Sequence, residues 1–181
     1  MSAAGGVADP QPVLEITAEP FDAPVSQALV GELMDDLDER YAADGAGDGD
    51  SHEMMAQFTV RAHQVTPPVG IFLVAWLDGE PAGCGAVRQV IGGPAEAGEI
   101  KRMYTVPAAR RRGVSRALLA RLEAEGAALG YASLQLETGL RQPEAIALYE
   151  ASGYHRIPSY GQYEGDELSV CFAKDLAPLP R

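Results

Sequence analysis

An α+β domain built on one mixed β-sheet is what the sequence predicts, and three observations lead there. Between Ile71 and Val90 two strand-like runs flank Asp78-Gly79, the residue pair of a tight hairpin, so antiparallel pairing is present. Between Glu99 and Thr138 a strand, a helix and another strand follow in turn, a unit that sets its two strands parallel. A chain of 181 residues, 46% apolar and 22% charged, has material for one core and short tails but not for a second domain.

Residues 1–12 are rich in Ala, Gly, Pro and Gln and read as a flexible tail, 13–176 as the folded domain and 177–181 as a short C-terminal tail. Val13 to Thr17 alternates apolar and polar residues as a half-exposed strand does. Asp22 then offers an N-cap and Pro24 suits a first helical turn. Val25, Leu29, Leu33 and Leu37 recur every four residues, a stripe that carries the helix to about Glu39. Periodicity fails from Tyr41 to Pro68. The Gly- and Asp-rich stretch Asp44 to Ser51 reads as a loop, and His52 to Arg61 as one short helix before Pro67-Pro68. Ile71 to Leu77 and Pro81 to Val90 are the hairpin strands, and Gly92-Gly93-Pro94 turns the chain again. Glu99 to Val106 is a strand. The helix after Gly113 presents Leu118, Leu122 and Leu129 inward and stops near Gly130. Leu134 to Thr138, Tyr154 to Arg156 and Leu168 to Ala173 are further strands, with a helix from Pro143 to Ser152 between the first two.

Charge is unevenly placed. Fourteen Lys and Arg against twenty-six Asp and Glu leave a net charge of −12, which argues against a general grip on nucleic acid or an anionic membrane. Yet Lys101 to Arg121 holds seven cations (Lys101, Arg102, Arg110, Arg111, Arg112, Arg116 and Arg121) and no acid. A helix that starts behind such a loop aims unpaired N–H groups and its positive dipole end at one point, which is an anion site; Gly113 permits close approach. A polyphosphate ligand explains the concentration, and so does a solvated basic helix start. Asp35 to Glu53, in contrast, has eight acids (Asp35, Asp36, Asp38, Glu39, Asp44, Asp48, Asp50 and Glu53) and one base, Arg40. It reads either as a field for a cationic amine or as an acidic surface loop. Cys84 and Cys171 sit in apolar runs as buried free thiols, and His52, His63 and His155 lack ligand spacing, so no metal site is expected. With no leader-like N-terminus and no long apolar run, the expectation is a cytoplasmic protein without a membrane span.

Arg110-x-x-Gly113-x-Ser115, following the strand Glu99-Ile-Lys-Arg-Met-Tyr-Thr105, resembles the acetyl-coenzyme A motif Q/R-x-x-G-x-G/A of the GNAT superfamily, the Gcn5-related N-acetyltransferases. Gln142 to Tyr154, a helix bearing Tyr149 and closing on Gly153-Tyr154, is similar to that superfamily's second signature, and together the likeness spans about residues 13–174. Ser115 departs from the usual Gly or Ala but remains small. The resemblance implies a mostly antiparallel, twisted mixed sheet of about six to seven strands flanked by about four helices. It also implies acetyl-CoA as acyl donor, with the pyrophosphate on the backbone amides around Arg111, Arg112, Gly113, Val114, Ser115 and Arg116, and Arg110 beside them. The pantetheine arm would pair with Met103, Tyr104 and Thr105, and Gln142 and Ala145 would complete the coenzyme site. Glu99 is the implied general base, with Glu137 or a water chain as the alternative, and Tyr149 the general acid. The expected acceptor is a primary amine of a small molecule, cationic amines and polyamines included, reached by direct transfer in a ternary complex. A protein or peptide acceptor and a non-catalytic coenzyme A-binding domain are the competing readings, and homodimers are frequent in the superfamily.

Overall fold

The computed structural model describes residues 12–42 and 59–177, and in them seven strands form a single sheet. In chain order the elements are β1 (Leu14–Ala18), α1 (Pro24–Ala42), β2 (Ile71–Leu77), β3 (Glu80–Gln89), β4 (Ala97–Thr105), α2 (Val114–Ala128), β5 (Ser133–Gly139), α3 (Pro143–Ala151), β6 (His155–Ile157) and β7 (Ser169–Asp175). The sheet runs β1-β2-β3-β4-β5-β7-β6, and β4 with β5 is its one parallel pair. The α+β expectation therefore holds. Three α-helices stand where about four were expected, counted among the described residues. The helix expected over His52 to Arg61 lies largely outside those residues, and 59–61 are not helical. Three short 3-10 turns, at Ala62–Val65, Pro107–Ala109 and Gly161–Tyr163, carry no periodic signal in sequence.

Side-chain spacing explains which face each helix covers. The β2–β3 hairpin turns at Asp78 (φ 55°) and Gly79 (φ 84°), two positive-φ residues that match the twist of the flanking strands. On one face of the sheet, Leu118, Leu119 and Leu122 of α2 pack with Leu73, Val87, Ile100, Leu134, Leu136 and Phe172, and α3 adds Tyr149 to the same cluster. On the other, Leu29 and Leu33 of α1 pack with Phe72, Val74, Cys84, Ala86 and Tyr104. Val25 and Leu37 flank that second cluster, as the four-residue stripe required. No helix among the described residues is long and apolar enough to cross a membrane.

One irregularity sets up the site. Cys84 faces Tyr104 but Ala86 faces Lys101, so the single residue Gly85 opposes both Arg102 and Met103 in a β-bulge. Arg102 takes the left-handed conformation (φ 57°) that the extra residue needs. A side chain at position 85 would collide with the ends of Leu122 and Met103 at 2.8 and 2.9 Å, which explains the glycine. Side-chain alternation shifts by one at the bulge, so Met103 joins the α2 face while Tyr104 joins the α1 face.

Leu118, fully buried between α2 and the sheet, is a measure of this packing. Leu118→Ala is expected to cost about 2–5 kcal/mol in urea unfolding, with the m-value unchanged.

Candidate active site

β4 and β5 pair over only three residues each, Ala97–Glu99 with Ser133–Gln135. Beyond that point β5 continues against β7 and β4 against β3, and the two facing edges part. The ladder decides which backbone groups border the gap. Val106 N–H donates to the Ala82 carbonyl at 3.0 Å, so the alternation of an antiparallel pair turns the backbone of Tyr104 toward β3 as well. Met103 and Thr105 turn theirs toward the gap. Of Met103, Tyr104 and Thr105, expected along the pantetheine arm, Met103 and Thr105 thus border the gap and Tyr104 does not, because the bulge changes the phase of the strand. The Thr105 carbonyl accepts from Arg110 Nε at 3.2 Å.

The loop after β4 behaves as an anion cradle. Arg111 (φ 64°) and Gly113 (φ 84°) turn the chain sharply into α2. The first helical bond runs from Ala117 N–H to the Gly113 carbonyl, and the amides of Gly113, Val114, Ser115 and Arg116 have no partner among the described residues. A side chain built on Gly113 would meet open space, so the approach to those amides is clear. These residues fit the diphosphate of a coenzyme A thioester. Arg110, Arg111, Arg112 and Arg116 are all exposed around the cradle. Arg110 reaches Asp36 at 2.8 Å and Arg112 reaches Asp78 at 3.4 Å.

Asp36 fastens α1 to this cradle. Burial pushes its carboxyl up, but hydrogen bonds and charge from Arg110 and Arg40 outweigh burial and hold it below the usual aspartate range. Arg40 also pairs with Glu144 in the first turn of α3 and donates to the Arg141 carbonyl at 3.3 Å. Tyr41 lies against Gly139 at the end of β5, where a side chain would fall on its hydroxyl. The end of α1 is thereby held beside the mouth of the gap. Asp44, Asp48, Asp50 and Glu53, from the acidic stretch, lie outside the described residues, as does His52.

On the α1 face, a polar cluster interrupts the core beside the gap. Glu99 is only 2% exposed, and both its oxygens are engaged. Oε2 accepts from Arg88 Nε and Nη2 at 2.9 and 2.8 Å, and Oε1 accepts from the hydroxyls of Tyr160 and Tyr163 at 3.1 Å each. Arg88 also donates to Gln64 Oε1 at 3.2 Å. Lys101 Nζ donates to the Tyr163 hydroxyl and lies 3.9 Å from Glu99 Oε1. Glu99, Tyr160, Gly161, Gln162 and Tyr163 line a cavity of about 230 Å³ that Val90 and Ile91 separate from a neighbour of about 330 Å³. Burial, followed by the Glu99 charge, raises both tyrosines and keeps them protonated at neutral pH. Glu137 on β5 is half-buried; burial pushes its carboxyl up, opposed by a 2.8 Å bond from Ser169 Oγ. Glu99 therefore sits in a closed network rather than as a free strand carboxylate. Arg88, its partner, escaped the sequence reading; the one signal was a lone arginine inside an apolar strand.

Tyr149 occupies the other side. It is 4% exposed, meets Tyr154 edge-on at 5.7 Å between ring centroids and Phe172 at 6.0 Å, and its hydroxyl has no partner among the described residues. Burial first, then Glu137, raises this phenol. Gln142 is the N-cap residue of α3, and Ala145 packs on the core one turn later. His63 and His155 are exposed, and Cys84 and Cys171 are buried free thiols.

Because Arg88 and Glu99 are both buried, removing one strands the other. Arg88→Met is expected to destabilise by about 3–5 kcal/mol in denaturant titration, and adding Glu99→Met should recover much of that loss. A single variant as stable as the parent would show the pair to be energetically idle.

Comparison with known proteins agrees with this geometry. Residues 31–154 match the Acetyltransferase (GNAT) family. A protein of Azospirillum brasilense named IAA acetyltransferase is 36% identical over 155 residues, covering 86% of this chain and 95% of that protein. An uncharacterised N-acetyltransferase of Bacillus subtilis, YsnE, is 36% identical over 107 residues, 58% of this chain and 69% of its own. A solved Klebsiella pneumoniae structure assigned as an acyl-CoA N-acyltransferase superposes with a TM-score of 0.70 at 30% identity, covering 91% of this chain and 98% of that one. A Thermoplasma acidophilum N-acetyltransferase, solved in complex with coenzyme A, shares the fold at 15% identity with a TM-score of 0.65, over 90% and 99% of the two chains. A parted strand pair, an arginine-rich cradle at a helix start and relatives of this length and similarity lead to one conclusion: the chain belongs to the GNAT family of acetyltransferases and is an acyltransferase.

Proposed function

We propose that the protein moves the acetyl group of acetyl-CoA to a primary amine of a small molecule, directly, within a ternary complex. The observation that carries this is the free edge of β4, which starts just past Glu99, a residue lining the cavity, and runs to the α2 cradle. Donor and acceptor held on two sides of one gap need no covalent enzyme intermediate, since proximity alone makes the attack effectively unimolecular.

Acetyl-CoA supplies an activated acyl group whose thiol must leave with a proton. The chain's residues divide the remaining work. The amides of Gly113, Val114, Ser115 and Arg116, with the Arg110, Arg111 and Arg112 side chains beside them, hold the diphosphate; the Arg112 amide, expected among them, is taken by the Ala109 carbonyl at 3.4 Å. The backbone of Met103 and Thr105 pairs with the pantetheine arm, and Gln142 and Ala145 flank it from α3. The Met103 N–H polarises the carbonyl under attack. Tyr149, protonated and without another hydroxyl partner, is the acid for the leaving thiolate. Glu99 assists removal of the amine proton through the tyrosine hydroxyls it holds, and Glu137 is the alternative carboxylate. A cavity of about 230 Å³ suits a small acceptor better than a peptide.

A thiol-release assay over polyamines, aminoglycosides, amino acids and short peptides should find turnover on a small amine, with intersecting initial-rate lines. Parallel lines would indicate an acetyl-enzyme and refute direct transfer. With the best acceptor, Tyr149→Phe is expected to lower kcat by about 10²–10⁴-fold while calorimetric binding of acetyl-CoA persists. Unchanged kcat would remove Tyr149 from the acid role.

A further inference from the structure

Lys101 is a buried cation that the mechanism above leaves idle. It stands on β4 two residues past the last β4–β5 pair, on the face that carries Glu99, and its side chain is 10% exposed. Its ammonium nitrogen contacts the Tyr163 hydroxyl, and that same hydroxyl contacts Glu99 Oε1 at 3.1 Å. Tyr163 and Glu99 line the cavity, whereas Lys101 stands behind them.

We propose that Lys101 is the proton store of the acceptor site, taking the proton of the incoming ammonium through the hydroxyl of Tyr163; this rests on the reading of the cavity as the acceptor site.

Glu99 is a poor terminus for that proton, because Arg88 holds one oxygen through two short contacts and two phenols hold the other. Tyr163 is the pivot. When Lys101 is an ammonium it donates to the phenol oxygen, and when Lys101 is neutral the phenol O–H turns to donate to nitrogen. In the second state one N–H bond of the acceptor ammonium breaks, its proton goes to Tyr163 Oη, and the proton of Tyr163 goes to Lys101 Nζ. The acceptor is left neutral with its lone pair free, Tyr163 ends as it began, and Lys101 later releases the proton to solvent. Glu99 acts here as a positioning residue: it accepts from Tyr160 throughout and from Tyr163 while Lys101 is an ammonium.

The groups around Lys101 allow both protonation states. Glu99 and Arg102 face it from β4, Arg88 from β3, Glu137 from β5 and Tyr163 from the turn before β7. Burial favours the neutral amine most strongly, Glu99 opposes it, Arg88 supports it, Glu137 opposes and Arg102 supports, and the net effect lowers Lys101 from the ordinary lysine range. The sign of the pH effect follows. Lys101 is competent when neutral, so turnover rises as pH climbs through its midpoint and falls away below it.

Two readouts test this, one independent of turnover. The chain has two lysines, Lys101 and Lys174, so ¹³C-lysine NMR gives two side-chain signals that Lys101→Arg assigns. The Lys101 signal is expected to titrate at clearly lower pH than the ordinary lysine range and to move in Tyr163→Phe; a Lys101 that stays charged through that range overturns the proposal. In kinetics on the acceptor found by thiol release, Lys101→Met and Tyr163→Phe should each cost about 10²-fold in kcat/KM and flatten the rising pH limb. The double variant should lose no more than either single one, and calorimetric acetyl-CoA binding should persist as the check on folding. Lys101→Arg keeps the charge but not the neutral form, so it should stay as slow as Lys101→Met. Recovery of most activity in Lys101→Arg would make the role purely electrostatic and overturn the relay. If the wild type acetylates no amine while the NMR midpoint is low, the reading of the reaction fails and the titration of Lys101 stands.

Discussion

Three residue pairs hold β4 to β5, and the candidate site exists because the pairing stops there. Inside a sheet an unpaired strand edge leaves N–H and C=O groups that must be satisfied by something else. β5 follows β7 as far as Gly139, whereas β4 follows β3 and carries the bulge that inserts Arg102 opposite Gly85. Arg102 holds a left-handed conformation that costs a non-glycine residue of order 1 kcal/mol, and the packing of Met103 and Leu122 at Gly85 keeps it in place. The consequence is a slot open to an extended ligand, with a helix start at one end. α2 begins where β4 finishes, after only a short 3-10 turn, so the free edge and the amide cradle share one rigid support.

A second constraint is the buried polar cluster that stands where a uniform core would be simpler. The α1 and α2 faces have separate hydrophobic clusters, and Arg88, Glu99 and Lys101 occupy the α1 side of the strands next to the gap. Burying an ion pair gives little net stability compared with an apolar replacement, so its retention points to the cavity beside it. The pair fixes two phenols in place by giving both the same acceptor oxygen. Elsewhere on this face the environment is inert: the Cys84 thiol, buried between β3 neighbours, is pushed up to about 12, which excludes it as a nucleophile at neutral pH.

Much of the fold was legible because periodicity and turn chemistry are local. Asp78-Gly79 announced the hairpin, the four-residue stripe announced α1, and Leu118 and Leu122 announced the buried side of α2. The arginine-rich cradle was legible as well, since its residues are neighbours in the chain. What escaped depends on register. Glu99 could be singled out, but its ties to Arg88, eleven positions earlier, and to Tyr160 and Tyr163, more than sixty positions later, arise only once strands and a distant turn are assembled. The phase change at the bulge, which turns the Tyr104 backbone away from the gap that Met103 and Thr105 border, is a three-dimensional fact with no compositional mark. The Arg110–Asp36 contact bridges 74 positions and escaped for the same reason.

That contact belongs to a wider asymmetry: half of the chain's fourteen cations crowd between Lys101 and Arg121 on a molecule of net charge −12. Encounter with an anionic nucleotide-bearing ligand is then a contest between ranges. At about 0.01 M salt the ionic atmosphere extends roughly 30 Å, and a diffusing polyanion feels the whole acidic molecule; at 0.15 M it shrinks to about 8 Å, and the arginines around Gly113 dominate near contact. Moderate salt therefore hastens capture by silencing distant acids, the reverse of what a uniformly basic binding face would show. The crowding of arginines at one helix start thus does more than hold a phosphate: it lets an acidic protein recruit an acidic ligand in an ordinary saline medium.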